Sequence, residues 1–282
     1  MHADPNVVDP VLADFIESLW CDGEPKSYAN YAVAAVQFYV PECKRHLTRS
    51  WKLVSTWNKI EMPARVAPIS AEVLLAIAGV FQKWQWRRLS LMLVVAYSTF
   101  LRTGEIFRIR CENVVFGQHG HPAVIFLQDT KTAQRKQILW EKVLVKEPLA
   151  LLCLEELCQG WPKPQLLIQE SIFQFRKIWK DSIEALQLAQ WKVLPYSIRR
   201  GGATSAYKRG MSFEELMQQG RWSNVATARI YLDEGLQEMQ SFSLTPPTRA
   251  LIQQAISVFH RCKPAGDAWK GKLRGSGSKL GS

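Results

Sequence analysis

Leu194 to Asp233, LPYSIRRGGATSAYKRGMSFEELMQQGRWSNVATARIYLD, is the stretch on which the reading of this chain turns. It holds an arginine pair, Arg199 and Arg200, followed by the small residues Gly201, Gly202 and Ala203. Further on come Trp222 and Tyr231. A guanidinium such as that of Arg199 can hold a phosphate through two parallel N–H donors. A tyrosine such as Tyr231 can attack that phosphate and carry it covalently. The local signals predict separate helices for the two residues. Ser212 and Glu215 form an S-x-x-E capping box that opens a helix over Ser212–Gln219. Gly220 fits the left-handed residue that ends it. Ser223 can cap the next helix, which carries Tyr231 about two turns in. Gly210 would close the helix that starts near Arg199. Tight turns between these helices can bring both side chains to one point.

The chain has 282 residues, 47% of them hydrophobic, enough for a sizeable core and for one or two domains. Its net charge is +11, unevenly spread. Residues 1–65 carry 7 Lys/Arg against 8 Asp/Glu, and the remainder carries 29 against 17. The basic part fits a polyanion such as nucleic acid, and equally a basic soluble protein with no such partner. The six cysteines (Cys21, Cys43, Cys111, Cys153, Cys158, Cys262) include no C-x-x-C pair, which reads as reduced thiols in an intracellular protein. The longest apolar run, Leu89–Leu101, is too short to span a bilayer. No membrane anchor or targeting peptide is expected.

Residues 1–10 read as a loose start. Helical spacing follows over Val11–Trp20 (Val11, Leu12, Phe15, Ile16, Leu19), over Ser27–Val40 (Tyr28, Tyr31, Ala35, Phe38) and over Trp51–Ile60. These aromatics read as core, with base stacking as the other use of such residues. Glu61–Ile69, with two prolines, reads as a linker. Ser70 would cap a helix over Ala71–Phe81, and Trp84–Ser98 reads as a central buried helix. Arg102 directly follows that apolar run, so it must be paired or meet a ligand. Glu105, three residues on, is its possible orienting partner. Ala123–Leu127 and Lys136–Leu144 read as two strands. The polar turn between them carries Lys131, either solvated or a mobile cation over a DNA backbone. Pro148–Gln159 and Ser171–Leu186 read as helices, the second with Phe173, Ile178, Ile183 and Leu186 on its core face. Arg176, Lys177 and Lys180 read as its solvated face, with contact to phosphates as the other use of such residues. Thr248–His260 is amphipathic, either packed on its own domain or docked on a neighbouring protomer. The Gly/Ser/Lys-rich tail reads as disordered.

Together these residues resemble the tyrosine recombinases, the phage-type integrases. The family's first box, an arginine with an acidic residue three positions later, is matched by Arg102 and Glu105 in STFLRTGEIFRIR. Its hairpin lysine is matched by Lys131 in DTKT. Its second box is matched by Tyr196, Arg199, Trp222 and Tyr231, with intervals and a GRWSN sequence most like the Cre-type branch. Tyr196 departs from the pattern, since the family has His or Lys there. An ordinary phenol, with a pKa of about 10, accepts a proton less readily at neutral pH than imidazole does. A core tyrosine is the plain alternative for Tyr196.

The resemblance implies a mainly α fold with a small antiparallel β-sheet. It implies a shortened helical DNA-clamping domain over residues 1–64, a catalytic domain over 65–262 and a basic tail over 263–282. It implies a site-specific recombinase for double-stranded DNA, serving a mobile element, that needs no metal or cofactor. Arg102 and Arg199 would clamp the scissile phosphate, and Glu105 would orient Arg102. Trp222 would hydrogen-bond through its indole N–H, Tyr231 would attack, and Lys131 would protonate the leaving 5′-oxygen. Arg135, Lys136, Arg200, Lys208, Arg209 and Arg221 would be backbone contacts. A homo-tetramer on two DNA sites is implied, with Thr248–His260 the candidate for exchange between protomers. The nucleus or the bacterial cytoplasm would suit it. A type IB topoisomerase uses similar chemistry, but the spacing and size favour a recombinase. A non-catalytic DNA-binding descendant of such an enzyme is the alternative that Tyr196 keeps open.

Overall fold

Asp4 accepts a hydrogen bond from the Asn6 backbone N–H at 2.9 Å, and Pro5 takes the first helical position, so helix α1 runs over Pro5–Cys21. The structure, a computed structural model, describes residues 4–61, 66–117, 121–128, 140–232, 238 and 243–264, with Thr227 and Ile230 described by backbone alone. The expected loose start through residue 10 is therefore corrected. An N-cap and a proline at the helix start outweigh Pro10, which lies inside α1 and removes one backbone donor.

The chain divides into two compact units, Met1–Arg65 and Val66–Ser282. The first contains α1, α2 (Lys26–Tyr39) and α3 (Thr48–Ile60). Leu12, Ile16 and Leu19 of α1 pack with Ala29 and Val33 of α2 and Val54 and Trp57 of α3. Leu47, at the cap position of α3, offers no side-chain acceptor. Asp9 supplies it from α1, accepting from the Arg49 N–H at 2.8 Å and from the Ser50 N–H at 3.0 Å. The aromatic face expected to be core is instead exposed: Tyr28, Tyr31 and Phe38 all face solvent, as do Val11 and Phe15 of α1. The small pair Ala29 and Val33, one turn apart, lets α2 approach its neighbours closely, and that choice turns the larger rings outward.

In the second unit, Ser70 caps α4 (Ala71–Lys83), its Oγ accepting from the Val73 N–H at 3.2 Å. Ala67 and Ile69 just before it are buried, so this end of the expected linker belongs to the core. Gln85 adopts a left-handed conformation, and the Trp84 and Trp86 N–H groups bond back to Val80 and Phe81. Helix α5 therefore starts at Arg87, later than the Trp84 expected, and runs to Ser98. Nine consecutive α5 residues, Leu89–Tyr97, are buried, as a central helix requires. Beyond the short helix α6 (Thr103–Ile106) lies an antiparallel sheet in the order β1 (Val114–Val115), β2 (Ala123–Gln128), β3 (Trp140–Val145). Strand β1 has no expectation behind it, because two residues show no alternation. Ala123 pairs with Val145 and Gln128 with Trp140. Residues 136–139 of the expected second strand lie outside the described residues.

Helix α7 (Pro148–Cys158) packs on α5, and α8 (Ile172–Ala185) opens with a Ser171/Gln174 capping box. Phe175, Ile178, Trp179 and Ile183 face the core, whereas Phe173 is exposed, contrary to the expected face. Position 173 lies about 200° around the helix from Phe175. Helix α12 (Pro246–Cys262) lies on α4 of its own chain, close enough that a Cβ on Gly79 would collide with the Ala255 carbonyl. Among the described residues no helix is long and apolar enough to cross a membrane.

Candidate active site

Three helices converge at one end of this unit: α9 (Ser197–Lys208), α10 (Phe213–Gly220) and α11 (Val225–Tyr231). Gly201 and Gly202 let α9 press against the backbone of Ile69 and Tyr97, since a Cβ at either position would strike a carbonyl. The Ser212/Glu215 capping box starts α10, with the Glu215 N–H donating to the Ser212 Oγ at 3.2 Å. Gly220 does not end it in the expected left-handed conformation. Gly220 is the last helical residue, and Arg221 takes the left-handed position at φ 56°. Glycine is needed at 220 because the Trp222 ring lies where a Cβ would be. The next helix is capped by Asn224, which accepts from the Ala226 N–H at 2.7 Å, and not by the expected Ser223. Thr204 Oγ1 donates to the Tyr231 carbonyl at 3.0 Å, tying the end of α11 to α9.

These elements enclose a small core of their own, built from Phe100, Ala203, Ala206, Leu216, Trp222 and Ala228, with Tyr231 packed against it. Phe100 follows α5 in a left-handed conformation, φ 52°, which is uncommon for a bulky residue. Its ring stacks on Trp222 at 6.3 Å, and the Trp222 ring lies 4.6 Å from that of Tyr231. Offset aromatic pairs contribute about 1 kcal/mol each beyond area burial.

Arg199 is almost fully buried at the centre, with 1% of its surface exposed. Its Nη1 donates to the Phe100 carbonyl and its Nη2 to the Gly220 carbonyl at 2.5 Å. Its Cζ lies 5.0 Å from the Trp222 ring and 5.4 Å from the Tyr231 ring. Burial, with Arg221 and Arg102 adding like charge, pushes its pKa down to about 10, so the guanidinium stays cationic at neutral pH. The buried Arg199 Nε and Trp222 Nε1 have no hydrogen-bond partner among the described residues.

Glu105 holds the arginines in register. Its Oε1 receives Arg102 Nη1 at 2.8 Å, and its Oε2 receives the Arg102 backbone N–H at 2.8 Å and Arg221 Nη2 at 2.7 Å. Burial opposes the Glu105 charge, but Arg221 and then Arg102 outweigh it and hold the carboxyl below its usual range. Glu141, absent from the sequence reading, completes the cluster. It is buried on β3, 4.0 Å from Arg102 Nη1 and 3.9 Å from Arg221 Nε. The alternating buried pattern Glu141, Val143, Val145 was the signal that could have revealed it. Arg102, Arg199 and Arg221 outnumber the two carboxylates, so the cluster keeps a surplus positive charge.

Tyr196 and Tyr231 are joined hydroxyl to hydroxyl. Burial first, then this hydrogen bond, pushes the Tyr196 phenol well above its usual range. Burial works the same way on Tyr231, but the hydrogen bond from Tyr196 and the Arg199 charge outweigh it and hold Tyr231 below the ordinary phenol value.

The structure thus brings together Arg102, Glu105, Tyr196, Arg199, Trp222 and Tyr231. Two expected DNA-backbone residues are corrected. Arg200 is buried, donating to the Val66 carbonyl, and Arg221 is buried against Glu105. Lys208 and Arg209 are exposed, paired with Glu238 and with Glu147 at 2.7 Å respectively. Lys131, Arg135 and Lys136 lie outside the described residues.

No protein-family model matches the chain, and no curated protein matches it in sequence. Solved structures do match in fold. A Tn1549 transposon integrase fragment in complex with circular intermediate DNA aligns with a TM-score of 0.54 at 11% identity, covering 82% of this chain and 83% of that one. A lambda integrase fragment, a dimer bound to a COC′ core site, aligns at 0.54 and 14% identity over 80% of each chain. A longer lambda integrase dimer on the same kind of site gives 0.56 at 13% identity, covering 80% and 64%. The mostly helical unit with its three-stranded antiparallel sheet has the tyrosine-recombinase fold.

Proposed function

We propose that this chain, built on the tyrosine-recombinase fold, is a site-specific DNA recombinase or integrase that cleaves and rejoins strands through a 3′-phosphotyrosyl link. The observation that carries this reading is the placement of Tyr231 against the buried Arg199, with unsatisfied N–H groups on Arg199 and Trp222 in the same cluster. An unmatched buried donor costs roughly 1–3 kcal/mol, and a phosphate oxygen would satisfy it. Tyr231, its phenolic proton released to solvent, attacks the phosphorus through its phenolate oxygen, and the bond to the 5′-oxygen of the strand breaks. Arg102 and Arg199 offset the charge that builds on the non-bridging oxygens. Glu105 and Glu141 hold Arg102 in place without reacting. Lys131 is assigned the proton for the leaving 5′-oxygen. Attack by a partner strand's 5′-hydroxyl reverses the step, so the phosphodiester energy is kept. Double-stranded DNA is the substrate, and assembly as a tetramer on two sites, with the first unit clamping DNA, belongs to the same reading.

The test is covalent trapping on nicked duplex DNA from a pool selected by binding. A protein–DNA adduct that survives denaturation and disappears in Tyr231→Phe supports the reading. One observation favours a second reading, a DNA-binding protein without cleavage activity: the Tyr231 hydroxyl is already engaged by Tyr196, where the family has His or Lys. Salt-sensitive DNA binding with no adduct, in the parent and in Tyr196→His alike, would establish that second reading.

A further inference from the structure

A cleft of about 690 Å³ opens beside the tyrosine pair, within the size range of small-ligand sites. One wall is α8, the other is the segment Ala189–Tyr196, and Thr103, next to Arg102, closes one side. The walls are fixed to each other. The buried Trp179 of α8 donates its Nε1 to the Val193 carbonyl at 3.2 Å, and the Leu194 N–H, donating to Ser197 Oγ at 3.2 Å, ties the second wall to the start of α9. The interior is apolar, formed by Trp179, Ile183, Val193 and Leu194. The rim is cationic. Arg176 and Lys180 stand one turn apart on the exposed side of α8, and Lys192 faces them. Glu184, 3.8 Å from the Lys180 Nζ, offsets only one of the three charges. Lys192 is held in a left-handed conformation, φ 50°, a backbone state that non-glycine residues occupy at a cost of about 1 kcal/mol or more. The Tyr196 ring, 39% exposed, stands where the cleft meets the tyrosine pair.

We infer that this cleft takes one unstacked nucleotide of the DNA strand, adjacent to the phosphate held at Tyr231, with its base inside and its phosphates on Arg176, Lys180 and Lys192. A duplex backbone alone needs cations but no apolar recess. A base offers the flat apolar surface that fills one, and Tyr196 offers a ring to stack on. Unstacking a base costs a few kcal/mol, which burial in a preformed recess can offset. The inference rests on the recombinase reading for its substrate, because a strand anchored at Tyr231 passes Tyr196 and so meets the mouth of the cleft.

Calorimetry with the full chain tests it, using thymidine 3′,5′-bisphosphate and the abasic deoxyribose 3′,5′-bisphosphate. The expected result is binding of the thymidine compound at least tenfold tighter than its abasic counterpart. Arg176→Glu and Lys180→Glu, both at exposed positions, should each weaken that binding at least tenfold. Equal affinity for the two compounds would overturn the inference, leaving only a surface that attracts phosphate. Affinity unmoved by either charge reversal would overturn it as well. The nicked-DNA adduct separates the two readings. An adduct without base-dependent binding sinks the cleft alone, and base-dependent binding without an adduct sinks the cleavage reading alone.

Discussion

Tyr196 Oη and Tyr231 Oη share a hydrogen bond that joins the start of α9 to the end of α11. Only one of the two phenols can ionise easily, and Arg199 decides which. Its guanidinium lies against the Tyr231 ring, so the negative charge settles on Tyr231 and Tyr196 remains the donor. Replacing Tyr196 by Phe removes that donor while keeping the ring. The phenolate titration of Tyr231, followed by ultraviolet difference absorbance against Tyr231→Phe, should then move to higher pH. The rising limb of adduct formation with pH should move the same way. A titration left in place would show that Arg199 alone sets the ionisation of Tyr231.

Glu105→Gln removes the charge that two arginines share. Breaking a buried ion pair by removing one partner costs about 3–5 kcal/mol, and the 8% exposure of Glu105 places it in that class. Urea unfolding should show the loss. The pH dependence follows from the lowered pKa of Glu105. A depressed folded-state carboxyl stabilises above its unfolded pKa, about 4.3, and that contribution is lost as pH falls through the folded value. The stability difference between parent and variant should therefore be full near neutral pH and shrink on acidification below the ordinary glutamate range. A difference that stays constant down to pH 2 would rule out the ion-pair account.

Gly220→Ala sets propensity against packing. Alanine within a helix is favoured over glycine by roughly 1 kcal/mol. Here its Cβ would enter the Trp222 ring, and overpacking of this kind costs typically 1–3 kcal/mol. The variant should be destabilised, and adduct formation should fall because Trp222 packs directly on Tyr231. A more stable variant with unchanged activity would show that the indole can move aside freely.

Asp9→Ala tests the cap that one helix lends to another. It removes the acceptor for the backbone N–H groups of Arg49 and Ser50. Loss of an N-cap costs about 0.5–2 kcal/mol. Hydrogen exchange should rise at the first turn of α3 and stay unchanged around Arg199, because Asp9 and Arg199 belong to different compact units.

Sequence by itself determined what short-range chemistry controls. The Ser70 and Ser212 caps sit where the sequence puts them, and the left-handed Gly210 follows α9 as its type allows. The order and spacing of Arg102, Glu105, Arg199, Trp222 and Tyr231 were legible through their resemblance to the tyrosine-recombinase boxes. Tertiary structure decided which charges face inward. Arg200 and Arg221 read as surface cations until their partners appear, a Val66 carbonyl and the Glu105 carboxylate, both distant in the chain. Glu141 joined the cluster only because β3 turns that position to the buried side. The aromatics of α2 failed as core for the converse reason, because a helix can bury either face and the neighbours choose. Periodicity names a stripe, whereas burial depends on what lies across from it. The partner of Tyr196, thirty-five residues away along the chain, was set by the fold of α9 through α11 and by nothing nearer.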